Sequence, residues 1–177
     1  KVIQYNANTP CEDRFVAIKL KNVEGDFLAV FDGHGGDSVS QYASEKMALY
    51  FDSIYLELTK KNVKGEKTQE ELIKQAFLDT FHKACVGSCA LAILVTKEKL
   101  FVAQLGDSKA KIYKKIDNRI ISQKLSRTFN CEKAHQQLHL FKNFSDVDIV
   151  VCKRDLNKVC YVKGRLQPTR VNFIHTF

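Results

Sequence analysis

The sequence has no apolar run approaching the ~20 residues that cross a bilayer as a helix, and Lys1 opens no signal-peptide pattern. Nothing is therefore expected to span a membrane or direct export, and the expected setting is intracellular: the cytoplasm, with a mitochondrial one left open. A dense cysteine framework is also lacking. The six cysteines (Cys11, Cys85, Cys89, Cys131, Cys152, Cys160) are scattered through core-like sequence, which predicts reduced thiols and no disulfide. Missing too are aromatic side chains interleaved with the lysines. A formal charge of +8 concentrates anions of any kind, but Lys19, Lys21, Lys60, Lys61, Lys64, Lys67, Lys114 and Lys115 fall mostly in turns and read as a solvated face. Neither nucleic acid nor membrane is expected as a partner.

What is present is enough for a core. With 177 residues, 45% of them apolar and 12 of them Phe, the chain can bury one substantial core, so residues 1–177 are expected to form a single domain. Residues 2–5 suggest a short strand and residues 15–20 another, with the turn at 22–26 returning the chain into an apolar run at 27–31 that reads as a buried strand. Asp37 is placed to cap a helix carrying Val39, Tyr42, Ala43, Met47 and Tyr50 at helical spacing. Thr68-Gln69-Glu70-Glu71 forms a capping box ahead of a second helix whose buried face holds Leu72, Ile73, Ala76, Phe77 and Phe81. Strand patterns over 90–95, 100–105, 110–113 and 119–123 then predict an antiparallel meander, and 149–152 and 159–162 two further strands. Cys131, His135 and His139 recur every four residues, which predicts one face of a helix. One ion cannot span positions eight apart, about 12 Å along the axis, so these three read as solvated or core residues.

The densest chemistry lies in Phe27-Leu28-Ala29-Val30-Phe31-Asp32-Gly33-His34-Gly35-Gly36. A carboxylate arrives at the tip of an apolar strand, and the glycines let the backbone turn sharply and approach a ligand. The hairpin before it would bring Glu12 and Asp13 to the same end as Asp32, and acids gathered there call for a divalent cation unless Glu12 and Asp13 are simply exposed loop acids. Asp107, in the tight turn Gly106-Asp107-Ser108, fits either a local turn-former or a metal-facing group.

The ten-residue string resembles the signature of the metal-dependent Ser/Thr protein phosphatases of type 2C. Three further segments agree in order: Glu12-Asp13 with the family's acidic pair, Gly87-Ser88-Cys89-Ala90 with its Gly-Ser-Thr-Ala strand start, and Gly106-Asp107-Ser108-Lys109 with its Gly-Asp-Ser-Arg hairpin. The resemblance implies an α+β fold, an antiparallel β-sandwich flanked by α-helices in four layers (α-β-β-α), of which this chain holds the N-terminal part. It implies hydrolysis of phosphomonoesters on phosphoserine and phosphothreonine proteins through two Mg²⁺ or Mn²⁺ ions. Asp32 would bridge the cations, the carbonyl of Gly33 would ligate one, Glu12 and Asp13 would orient bound waters, Asp107 would help hold a third, and His34 would be the acid. Three departures stand out. Asn8 occupies the place of a phosphate-gripping Arg, as in the pyruvate dehydrogenase phosphatase branch, and leaves no identified phosphate-binding residue; Lys109 replaces Arg; and no later metal-binding aspartates follow Arg170. The alternative is thus an inactive phosphatase-like module that binds phosphoproteins or other partners.

Overall fold

The computed structural model describes residues 3, 9–84, 88–153, 159–169 and 172–177. The strand expected over 2–5 (apart from Ile3), Asn8, Cys85, Gly87 and the turn at 154–157 lie outside the described residues. In chain order the elements are β1 (Arg14–Lys19), β2 (Asp26–Gly33), α1 (Ser38–Lys61), α2 (Gln69–Ala84), β3 (Ser88–Val95), β4 (Leu100–Leu105), β5 (Lys111–Ile116), β6 (Arg119–Lys124), α3 (Ala134–Asn143), β7 (Val150–Cys152), β8 (Cys160–Val162) and β9 (Asn172–Thr176). They belong to two compact units, Lys1–Gln104 with Ile174–Phe177, and Leu105–Phe173. Antiparallel strands with helices make this the α+β class expected from the sequence.

In the first unit the sheet order is β1-β2-β3-β4-β9, with β1/β2 and β2/β3 antiparallel. The run at 27–31 is not buried on both sides. Phe27, Ala29 and Phe31 are sequestered while Leu28 and Val30 stand 41% and 46% exposed, because successive side chains on a strand face opposite ways and the helices take only one of those faces. Phe27 stacks at 6.1 Å on Phe77 of α2 and lies 5.4 Å from Phe51 of α1, and those two rings approach to 4.5 Å. This aromatic knot ties both helices to β2.

Helix α1 outruns the stretch expected from its first apolar positions, since Phe51 and Tyr55 continue the buried stripe for three more turns to Lys60 and Lys61, cations suited to the helix C-terminus. The buried Asp52 accepts from the backbone N–H of Asn22 at 2.9 Å and from its side-chain amide at 2.8 Å, pinning the β1–β2 turn to the helix. Asp37 precedes α1 without a side-chain cap, its carboxylate being engaged elsewhere. The capping box of α2 forms as expected: Thr68 N–H donates to Glu71 Oε2 at 2.7 Å, and Glu71 N–H returns a 3.3 Å bond to Thr68 Oγ1.

Three expectations fail in the second unit. β5 and β6 form their own ribbon through Asp117 and Asn118, both at positive φ, instead of extending a meander. The edge of β4 that β5 would have paired with is taken by β9. Cys131 lies ahead of α3, not on it, and is fully buried with Leu140, Ile149 and Cys160, which pushes its thiol pKa up. A disulfide also joins Cys152 and Cys160, contrary to the expectation of none. The two residues are register partners in the β7/β8 pair, with Cα atoms 3.9 Å apart, a closeness that spacing along the chain does not reveal.

Candidate functional site

The β1/β2 ladder ends at the pair Arg14↔Phe31, so Asp13 and Asp32 are the next residue along each strand. Gly33 closes β2, and the chain turns through Gly35 (φ 80°) and Gly36 (φ 128°), backbone angles that favour glycine, before α1 begins. Gly33 itself is required by space: a Cβ there would sit 2.7 Å from the carbonyl oxygen of Glu12 and 3.0 Å from both Gly36 O and Ser40 Oγ. The acidic segment and the glycine loop are therefore in backbone contact.

Several bonds hold that contact. Glu12 Oε1 accepts from the Gly36 N–H at 2.7 Å, and the Ser40 hydroxyl, on the first turn of α1, donates to the Glu12 carbonyl. Arg14 is the clamp that sequence reasoning missed. Its guanidinium donates to the carbonyls of Cys11 (2.7 Å) and Asp13 (2.8 Å), to Asp37 Oδ2 (2.6 Å) and to Gln41 Oε1 (2.6 Å), so one planar fork fixes the acidic segment against the start of α1. The only advance signal was an arginine next to the acidic pair.

Asp32 is positioned from the other side. Its carbonyl accepts from Ser88 Oγ at 2.9 Å and lies 3.1 Å from His34 Nδ1, while His34 Nδ1 stands 3.5 Å from Asp32 Oδ1. The register pairs Asp32 with Cys89 on β3. Among the described residues, Asp32, His34 and Cys89 form the one group of three or more potential ligands whose donor atoms all lie within 4.8 Å of one another. Glu12 and Asp13 adjoin this group through the backbone, and the Glu12 carboxylate is turned onto Gly36. Asp107 lies in the second unit, where Asn130 Nδ2 approaches its carboxylate at 3.5 Å. Among the described residues, His139 bonds to Asn143 one turn on.

The family model for Protein phosphatase 2C matches residues 5–135. Among curated proteins, "Probable protein phosphatase 2C 67" of Arabidopsis thaliana is 32% identical over 166 residues, covering 84% of this chain and 42% of that protein. "Probable protein phosphatase 2C 25" of Oryza sativa subsp. japonica is 30% identical over 161 residues, covering 81% and 39%. The chain thus spans about two fifths of the length of the curated relatives it matches. Among solved structures, a serine-threonine phosphatase 2C from Toxoplasma gondii superposes with a TM-score of 0.67 at 15% identity, covering 94% of this chain and 68% of that one. A C. elegans sex determining protein gives 0.68 at 19% identity, covering 94% and 45%. At such identities the likeness is one of fold.

Proposed function

Because the chain belongs to the protein phosphatase 2C family, we propose that it carries part of the catalytic centre of a metal-dependent protein serine/threonine phosphatase. Residues 1–177 are read as the N-terminal portion of one such domain. The observation that carries the proposal is the convergence of the Asp32 strand tip, the glycine turn and the Glu12-Asp13 segment, locked by Arg14 and Ser40.

The donors suit a hard cation. The carboxylates of Asp32, Glu12 and Asp13 and the carbonyl of Gly33 are all oxygens, the ligand type that Mg²⁺ and Mn²⁺ prefer. When bound, these ions supply Lewis acidity toward the phosphoryl group and activate the attacking water. Asp32 would bridge the cations, with Glu12 and Asp13 orienting water beside it; Asp107 is carried over from the family only as a ligand of a further cation. His34 is the acid. With both ring nitrogens protonated, Nδ1–H would donate to the Asp32 carbonyl, 3.1 Å away, and orient the ring, while Nε2–H would pass its proton to the departing serine or threonine oxygen, leaving the imidazole neutral. The substrate class is phosphoserine and phosphothreonine in proteins.

The test pairs binding with turnover. Calorimetry with Mn²⁺ should show Asp32→Asn losing more than the roughly 10- to 100-fold typical of an outer-shell partner, since Asp32 is a direct ligand. In a protein holding the whole domain, release of phosphate from a phosphothreonine peptide should depend on Mn²⁺ and vanish in the same variant, whereas the 177-residue chain alone should release little. Equal Mn²⁺ affinity in both proteins refutes the metal assignment; metal binding without turnover in the whole domain favours a phosphoprotein-binding module.

A further inference from the structure

Cys89 has no part in the chemistry above, yet it completes the tightest donor cluster among the described residues. Its placement follows from the sheet. Asp32 and Cys89 are cross-strand partners in β2/β3, so their side chains share a face, and His34 comes two residues after Asp32, with Gly33 between. We propose that Asp32, His34 and Cys89 form a Zn²⁺ site of mixed oxygen, nitrogen and sulfur donors, separate in ligand set from the all-oxygen centre and sharing only Asp32 with it.

Distances favour it. Zn²⁺ bonds of about 2.0–2.3 Å in a tetrahedron put neighbouring donors about 3.3–3.8 Å apart. His34 Nδ1 and Asp32 Oδ1 already stand at 3.5 Å, and no pair of donors in the cluster exceeds 4.8 Å, so closure requires at most about 1.0–1.5 Å. Side chains that can move supply it: His34 is 29% and Asp32 45% exposed, whereas Cys89, 4% exposed, is anchored within β3. Donor softness selects the ion, because thiolate and imidazole suit Zn²⁺ and are poor ligands for Mg²⁺ or Mn²⁺. Charge also balances. One carboxylate and one thiolate neutralise the dication while the imidazole stays neutral, and as the Zn–S bond forms the Cys89 S–H proton passes to solvent. The fourth position is left to water.

One consequence rests on the phosphatase reading: Asp32 cannot serve both ions in full, so Zn²⁺ would displace Mn²⁺ and act as a brake on hydrolysis. The site itself can be tested without that reading. With Co²⁺ in place of Zn²⁺, the 177-residue chain should develop a thiolate-to-cobalt charge-transfer band in the near ultraviolet that Cys89→Thr abolishes. By calorimetry Cys89→Thr should weaken Zn²⁺ binding at least about tenfold, as for any lost ligand, with Mn²⁺ affinity retained. A band that is absent from the parent or survives in Cys89→Thr overturns the proposal, as does equal Zn²⁺ affinity. Should circular dichroism show Cys89→Thr unfolded, His34→Gln takes its place: it should weaken Zn²⁺ binding similarly, and an unchanged affinity refutes the site. Loss of the phosphatase reading looks different, with Mn²⁺ affinity unmoved by Asp32→Asn while the cobalt band persists in the parent.

Discussion

Gly33→Ala is the sharpest probe of the contact between the acidic segment and the glycine turn. The added Cβ would stand 2.7 Å from Glu12 O, where ordinary contact begins at 3.4 Å, so that carbonyl must retreat about 0.7 Å, and Gly36 O and Ser40 Oγ about 0.4 Å each. None can retreat freely. The Glu12 carbonyl is held by Ser40, its carboxylate by the Gly36 N–H, and the residues on either side of it by Arg14. Overpacking costs about 1–3 kcal/mol, and backbone oxygens tied on both sides put this case in the upper half, about 2–3 kcal/mol. At about 2–4 °C per kcal/mol for a chain of this size, the melting temperature should fall by about 4–12 °C. Mn²⁺ affinity should fall with it, because the Glu12-Asp13 segment is pushed from Asp32. Thermal unfolding by circular dichroism and Mn²⁺ calorimetry read the two effects. Gly35→Ala is the control: nothing lies within 4 Å of its Cβ, but φ is +80°, so it pays only the backbone strain of about 1–2 kcal/mol and should leave the acidic segment in place. If Gly33→Ala stays within about 0.5 kcal/mol of the parent and binds Mn²⁺ as well, the packing argument is wrong.

Asp52→Ala should destabilise the first unit by about 1–3 kcal/mol in urea unfolding, since it strands the Asn22 N–H and amide that the carboxylate now satisfies; a change below about 0.5 kcal/mol would refute that role. Lys74 and Lys99 hold the Glu70 carboxyl down to about 2 from its ordinary 4.5. A lowered folded-state pKa gives stability that is present above about 4.5 and lost as pH falls toward about 2, so the parent's urea midpoint should drop through that window more than that of Glu70→Gln, and parallel curves would dismiss the pairing. In a protein holding the whole domain, His34→Gln should lower turnover of a phosphopeptide far more than that of p-nitrophenyl phosphate, whose good leaving group scarcely needs an acid; equal losses remove His34 from that role.

The first unit was legible because its signals are local. A capping box, a helix stripe and a glycine-bounded apolar run each lie within a few residues, and α2 starts at the predicted box with its predicted face buried. Errors arose where a long-range neighbour decided the outcome. Whether Leu28 and Val30 are covered depends on what lies over the second face of β2, and whether β5 joins the sheet depends on which strand occupies the edge of β4. Cys152 and Cys160 meet through the register of a three-residue ladder, which their separation of eight does not announce.

The site divides along the same line. Asp32, Gly33 and His34 are consecutive, so their chemistry can be read from one string; Arg14 and Cys89 act across strands and could not be. Arg14 sits in β1, one of 28 basic residues in a chain of net charge +8, and only folding sets it between two carbonyls and the Asp37 carboxylate. Cys89 fills a buried strand position as a small apolar residue would, and becomes a candidate ligand only because antiparallel register sets it against Asp32. A one-residue slip of β3 would turn its side chain to the opposite face and dissolve the cluster while leaving every motif in the sequence intact. The donor set at this strand tip is therefore a property of register as much as of residue identity, and Cys89→Thr, which alters identity and leaves register alone, can separate the two.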